Sequence, residues 1–133
     1  MVFHGGEPLY ILVVDDDRAR GQNIARALRS VCDEEIEVLT APDGNTALLI
    51  IAENPIEELS AIVTNYGLPG MTGGELAQHV ADQWPEVDPL FVLWTKKIVP
   101  EVVSDRFRMI RAKSPDISDF AGAINEMLLA HRS

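Results

Sequence analysis

The stretch Tyr10-Ile11-Leu12-Val13-Val14-Asp15-Asp16-Asp17 decides the fold. Its apolar half is short, rich in β-branched residues and continuous rather than alternating. That is the pattern of a strand covered on both faces, as in a parallel sheet. Its polar half stops the strand with three consecutive carboxylates. Downstream, residues 18–31 place Ile24, Leu28 and Val31 at helical spacing, with Ala25 and Ala27 filling in and arginines opposite. Residues 36–40 read as a second strand. The turn Pro42-Asp43-Gly44 leads into a helix over 46–53 that Asn54-Pro55 terminates.

The alternation continues to the end of the chain. Residues 59–64 form a third strand, 65–73 a loop, and 74–83 a third helix stopped by Trp84-Pro85. A fourth strand is expected at 90–94, a short helical patch at 100–105 and a fifth strand at 107–112. The last helix spans 118–130, with Phe120, Ile124, Met127 and Leu128 on one stripe. Five strands alternating with helices imply an α/β domain whose parallel sheet carries helices on both faces, because right-handed crossovers place them there. No repeat or linker interrupts the pattern. Residues 1–8 read as an N-terminal tail and 9–131 as one domain.

Composition narrows the function classes. A chain of 133 residues has room for one ordinary domain, and 47% apolar with 24% charged residues is a globular profile. The longest apolar runs, 10–14 and 47–52, fall short of the ~20 residues of a membrane span. No basic segment followed by an apolar run marks a secretion signal at the N-terminus. Cys32 is the single cysteine, which excludes an internal disulfide and a multi-thiolate metal site. It reads as a half-buried residue at a helix end, and a cytoplasmic location is expected. The net charge of −10, from 11 basic and 21 acidic residues, argues against direct nucleic-acid binding.

Open parallel sheets bind ligands beyond the carboxyl ends of their strands. Asp15, Asp16 and Asp17 follow the first strand, Asn65 the third, Thr95 with Lys96 and Lys97 the fourth, and Lys113 the fifth. Clustered carboxylates suit a hard cation such as Mg²⁺, while a hydroxyl and a lysine suit a phosphoryl group. This is the inventory of a phosphoryl-transfer site without its nucleophile. Taken singly, Asp17 reads as a helix cap. Trp84, Trp94, Phe107 and Phe120 read as packing residues, and His4, His79 and His131 as solvent-facing. Glu34-Glu35 and Glu57-Glu58 read as solvated turns.

Four matches on strand ends carry a specific resemblance. Ile11-Leu12-Val13-Val14-Asp15-Asp16-Asp17 resembles the first-strand signature of response-regulator receiver domains, and Leu68-Pro69-Gly70-Met71-Thr72-Gly73 resembles their loop after strand three. Thr95 is similar to the family's switch hydroxyl and Lys113 to its phosphate-pairing lysine. The resemblance implies the flavodoxin-like (CheY-like) fold, a doubly wound sheet in the order 2-1-3-4-5. It implies two-component phosphorelay signalling without enzymatic activity of the domain's own. It assigns Mg²⁺ to Asp15 and Asp16, and the phosphate pocket to Thr95 and Lys113. The partners implied are a histidine kinase or a downstream protein, or a second copy of the chain. They would dock on the face made by the fourth helix, fifth strand and last helix, with no nucleic acid or membrane involved.

The family's acceptor aspartate lies four residues before the loop proline, and here that position is Asn65. A carboxamide is uncharged and a far weaker nucleophile than a carboxylate, so ordinary aspartyl phosphorylation is expected to fail. One negative charge is lost, so a weakened Mg²⁺ site is expected, with the Asn65 carbonyl still available to it. Lys96 beside Thr95 is expected either to stand in for metal charge or to be a solvated lysine. The family's lysine-proline pair reads Lys113-Ser114-Pro115. A cis bond before Ser114 would cost about 3–4 kcal/mol, so it is expected trans. Seventeen residues separate Thr95 from Lys113, so the fourth helix is expected to be short, and Ile110 takes the family's aromatic switch position.

Two alternatives accompany this reading. Asn65 is an engineered replacement of aspartate in a normal phospho-accepting receiver, or the chain is a Mg²⁺-dependent phosphohydrolase with its nucleophile after strand one. The second fits poorly, because Asp15-Asp16-Asp17-Arg18-Ala19 departs from that family's motif at its last position. A flavodoxin-like cofactor binder lacks the phosphate-cradling loop. The loop after strand three is also similar to receivers fused to hybrid histidine kinases, so the chain is compatible with a piece of a longer protein.

Overall fold

A computed structural model describes residues 9–32, 36–95 and 117–131. The expected tail 1–8, helix 100–105 and strand 107–112 lie outside these residues, as do His4, Glu34, Glu35, Lys96, Phe107, Ile110, Lys113, Ser114 and Pro115.

Strand β1 (Leu9–Val14) pairs in parallel with β2 (Ile36–Ala41) on one side and β3 (Leu59–Asn65) on the other, and β4 (Leu90–Trp94) joins beyond β3. Among the described residues the sheet therefore has four strands in the order β2-β1-β3-β4. This is the parallel α/β arrangement anticipated, and the described part reproduces the first four places of the expected order.

The continuous apolar run of β1 is explained by its two faces. Tyr10, Leu12 and Val14 pack with Ala47, Ile51, Leu76 and Val80 on one side of the sheet. Ile11 and Val13 pack with Ile24, Leu28, Phe120 and Ile124 on the other. Alternate residues point to opposite faces and both faces are covered, so no polar residue interrupts the strand. The first side is covered by α2 (Gly44–Glu53) and α3 (Gly73–Gln83), the second by α1 (Arg18–Val31) and α4 (Ile117–His131).

Local chemistry sets the helix starts. Asp17 caps α1 by accepting from the Arg20 amide at 3.0 Å, as the sequence suggests. Helix α2 begins two residues earlier than expected, because Asp43 is its cap and accepts from the Thr46 amide at 2.7 Å. Thr72 and Glu75 form a reciprocal capping box that starts α3 at Gly73. Cys32 is the partly buried C-cap of α1. Trp94 packs edge-on against Phe120 with ring centroids 4.4 Å apart. Glu57-Glu58 lies in a 3₁₀ turn (Ile56–Glu58) with no buried residue, in keeping with a solvated turn. One reading needs correction: His131 does not simply face solvent, since its Nε2 lies 2.8 Å from the Asp88 carbonyl oxygen.

Candidate functional site

The parallel register brings three strand ends to one rim. Val14 lies opposite Thr64, and Asn65 opposite Trp94, so Asp15, Asn65 and Thr95 emerge side by side. The Asp15 amide extends the β1–β2 ladder by donating to the Ala41 carbonyl at 3.0 Å, which fixes where the acidic run leaves the sheet.

Asp15 turns inward, with its residue 4% exposed. Both of its carboxylate oxygens are engaged by local donors. Oδ1 accepts from the Asp17 amide at 2.9 Å and from Arg20 Nη2 at 2.8 Å. Oδ2 accepts from Arg20 Nε at 2.6 Å. This is a bidentate guanidinium–carboxylate pair, the strongest form of charge-assisted hydrogen bond. Arg20 is the third residue of α1, and helical side chains lean toward the N-terminus, so its guanidinium lies back over the strand end. The side chains are 29% and 1% exposed for Arg20 and Asp15 respectively, so the pair is sheltered on the acid's side. Hydrogen bonding to Asp15 raises the Arg20 pKa further, against a lowering by burial and with the Asp15, Asp17 and Asp16 charges assisting.

Asp16 faces solvent and meets the end of β3 instead. Asn65 Nδ2 donates to Asp16 Oδ1 at 3.3 Å and to the Gly67 carbonyl at 3.0 Å. Both partners are acceptors, so only the amide nitrogen can point there. In this geometry the Asn65 nitrogen, and not its carbonyl oxygen, faces Asp16. The loop after β3 holds this geometry. Gly67 bridges Thr72, Gly70 takes a positive φ of 81°, and the Gly73 amide donates to the Tyr66 carbonyl at 2.7 Å. A Cβ on Gly73 would lie 2.7 Å from the Asn65 backbone oxygen, so only glycine lets α3 start this close to the strand end.

Thr95 is buried at 5% exposure beside this pair of strand ends. Lys113 and Lys96, the other residues expected in the phosphate pocket, lie outside the described residues. Arg20 was not anticipated. The signal available was a cation five residues after Asp15, inside the first helical turn, where a side chain reaches back to the strand.

The donor set does not fit a divalent cation. Mg²⁺ requires open oxygen ligands in a demanding octahedral geometry. Both oxygens of Asp15 are engaged within the fold, and the Asp16 oxygen nearest β3 is engaged by an amide. Among the described residues no group of three or more His, Cys, Asp or Glu is placed to hold a metal.

No family model matches the chain. By sequence it is 32% identical over 100 residues to the two-component response regulator ORR11 of Oryza sativa subsp. indica, a match covering 75% of this chain and 65% of that protein. By structure it superposes on a CheY-like response regulator receiver domain from Methanospirillum hungatei with a TM-score of 0.77 at 22% identity, covering 95% of this chain and 98% of the other. The response regulator TrrA from Thermotoga maritima, solved in complex with Mg²⁺-BeF, matches with a TM-score of 0.73 at 21% identity, covering 90% and 98%. The fold, the register of the strand ends and these likenesses define the class: the chain is a CheY-like receiver domain of the response-regulator family. It spans between 14% and 65% of the lengths of the first curated relatives it matches. These likenesses favour the receiver over the phosphohydrolase alternative.

Proposed function

We propose that this domain serves two-component signalling as a receiver that takes no phosphoryl group at residue 65 and acts through protein–protein contact. The observation that carries the reading is the Asn65 amide, which donates to Asp16 where an acceptor carboxylate would have to attack phosphorus. The resemblance assigns the phosphate pocket to Thr95 and Lys113, with Lys96 next to Thr95 in the sequence. On this reading Asp15, Asp16 and Asn65 hold no Mg²⁺, because Arg20 and the Asn65 amide already engage the two carboxylates.

The functional unit is residues 9–131, preceded by a tail over 1–8. Its partner is a histidine kinase or a downstream protein, docking on the face that the family resemblance assigns to α4 and to sequence positions 100–105 and 107–112, which lie outside the described residues. A second copy of the chain is a further candidate for that face. The acidity of the chain, with a net charge of −10, favours a basic protein surface over nucleic acid. No helix among the described residues is long and apolar enough to cross a membrane.

Beryllofluoride tests the reading, because beryllium bonds to a carboxylate oxygen at the acceptor position. With Mg²⁺ present, the amide NMR spectrum of this chain is expected to stay unchanged. Shifts at Asn65, Thr95 and the end of β1 would overturn the proposal.

A further inference from the structure

The end of β1 combines features that an acidic metal pocket does not have. The more buried of its two leading carboxylates is already neutralised by a bidentate cation from the same chain, at 2.6 and 2.8 Å. The other receives an amide hydrogen from β3 at 3.3 Å. Asp15 and Asp16 bring two negative charges and Arg20 removes one, so the attraction for a divalent ion is roughly halved before any ligand must be freed. Freeing Asp15 would break both guanidinium bonds of a carboxylate that is 1% exposed and whose second anchor is the Asp17 amide.

We propose that Arg20 is the resident cation of this rim: its guanidinium occupies the electrostatic role of a divalent metal, and the domain holds its strand-end geometry without Mg²⁺. This rests on the silent-receiver reading and deepens it, since Asn65 and Arg20 then do complementary work. Asn65 removes a carboxylate that would need neutralising, and Arg20 neutralises one that remains. The rim is self-contained, and its conformation is independent of divalent-ion concentration.

The test is Mg²⁺ titration of the full chain, followed by amide NMR at residues 15–17 and 65 and by thermal unfolding. The intact protein is expected to show no response at millimolar Mg²⁺. Arg20→Met and Arg20→Gln are each expected to bind Mg²⁺ roughly tenfold or more tightly than the parent, and to gain thermal stability from it. Gln retains a donor for Asp15, so it guards against loss of folding in the Met variant. If both variants ignore Mg²⁺, or are unfolded and not rescued by it, the assignment to Arg20 is wrong. Saturable binding by the intact protein at millimolar Mg²⁺ would also overturn it. Neither result bears on beryllofluoride uptake by the unmodified chain, so failure of the Arg20 assignment and failure of the silent-receiver reading are separately visible.

Discussion

The two ends of strand β1 are finished in opposite ways. At the carboxyl end the polar side chains are matched: Asp15 with Arg20, and Asp16 with Asn65. At the amino end Tyr10 is 3% exposed, and its hydroxyl has no hydrogen-bond partner among the described residues. Its ring packs in the same core as Leu12 and Val14, below the 3₁₀ turn. The amino end is therefore governed by packing, which tolerates an unmatched hydroxyl at a modest cost. The carboxyl end is governed by charge, where an unmatched carboxylate would cost far more. The two ends of β1 thus differ in kind: one is completed by packing, the other by paired charge.

The largest effect expected from breaking this contrast is at Arg20. Arg20→Met leaves a buried carboxylate uncompensated and should cost about 3–5 kcal/mol at neutral pH. The double variant Asp15→Asn/Arg20→Met should recover most of that loss, so a denaturation cycle should show strong coupling. Simple additivity would mean the pair contributes little.

At the other end of β1, burial together with Glu58 and Glu57 pushes the Tyr10 phenol up to about 12, against an ordinary value of 10. The folded state thus favours the neutral phenol. The associated stability is complete below about pH 10 and is lost as pH rises toward about 12, by about 2–3 kcal/mol. Tyr10→Phe should remove that alkaline loss and should slightly stabilise the protein at neutral pH. A parent and variant with parallel alkaline unfolding curves would refute it.

A smaller effect is expected at the start of α3. Thr72→Ala removes half of the capping box and should cost about 1 kcal/mol, measured by urea unfolding. The smallest concerns Asn65. Asn65→Asp sets a carboxylate against Asp16 in place of an amide, and should cost about 0.5–1 kcal/mol without divalent ions, less at high salt. A variant as stable as the parent at low salt would show that the amide contact adds nothing.

Much of this was legible in the sequence, for reasons that can be stated residue by residue. The run Tyr10 to Val14 announced a strand covered on both faces because both its faces are in fact buried. The cap at Asp17 was legible because a carboxylate before a helical stripe has one common use. The start of α2 was misplaced because Gly44 and Asn45 are poor helix formers, and the Asp43 cap outweighs them. Arg20 was illegible as a site residue. An amphipathic reading assigns arginines to the solvent side, and spacing alone does not reveal that Asp15 turns inward. The identity of Asn65 was readable, but which of its amide atoms faces Asp16 depends on the neighbouring Gly67 carbonyl, a matter of loop geometry.

The most direct test of the central claim is intact-protein and peptide mass spectrometry after incubation with a small phosphodonor and Mg²⁺. The account predicts no phosphoryl group at Asn65 in the unmodified chain. An acid- or base-labile phosphoryl adduct located on that residue would contradict it.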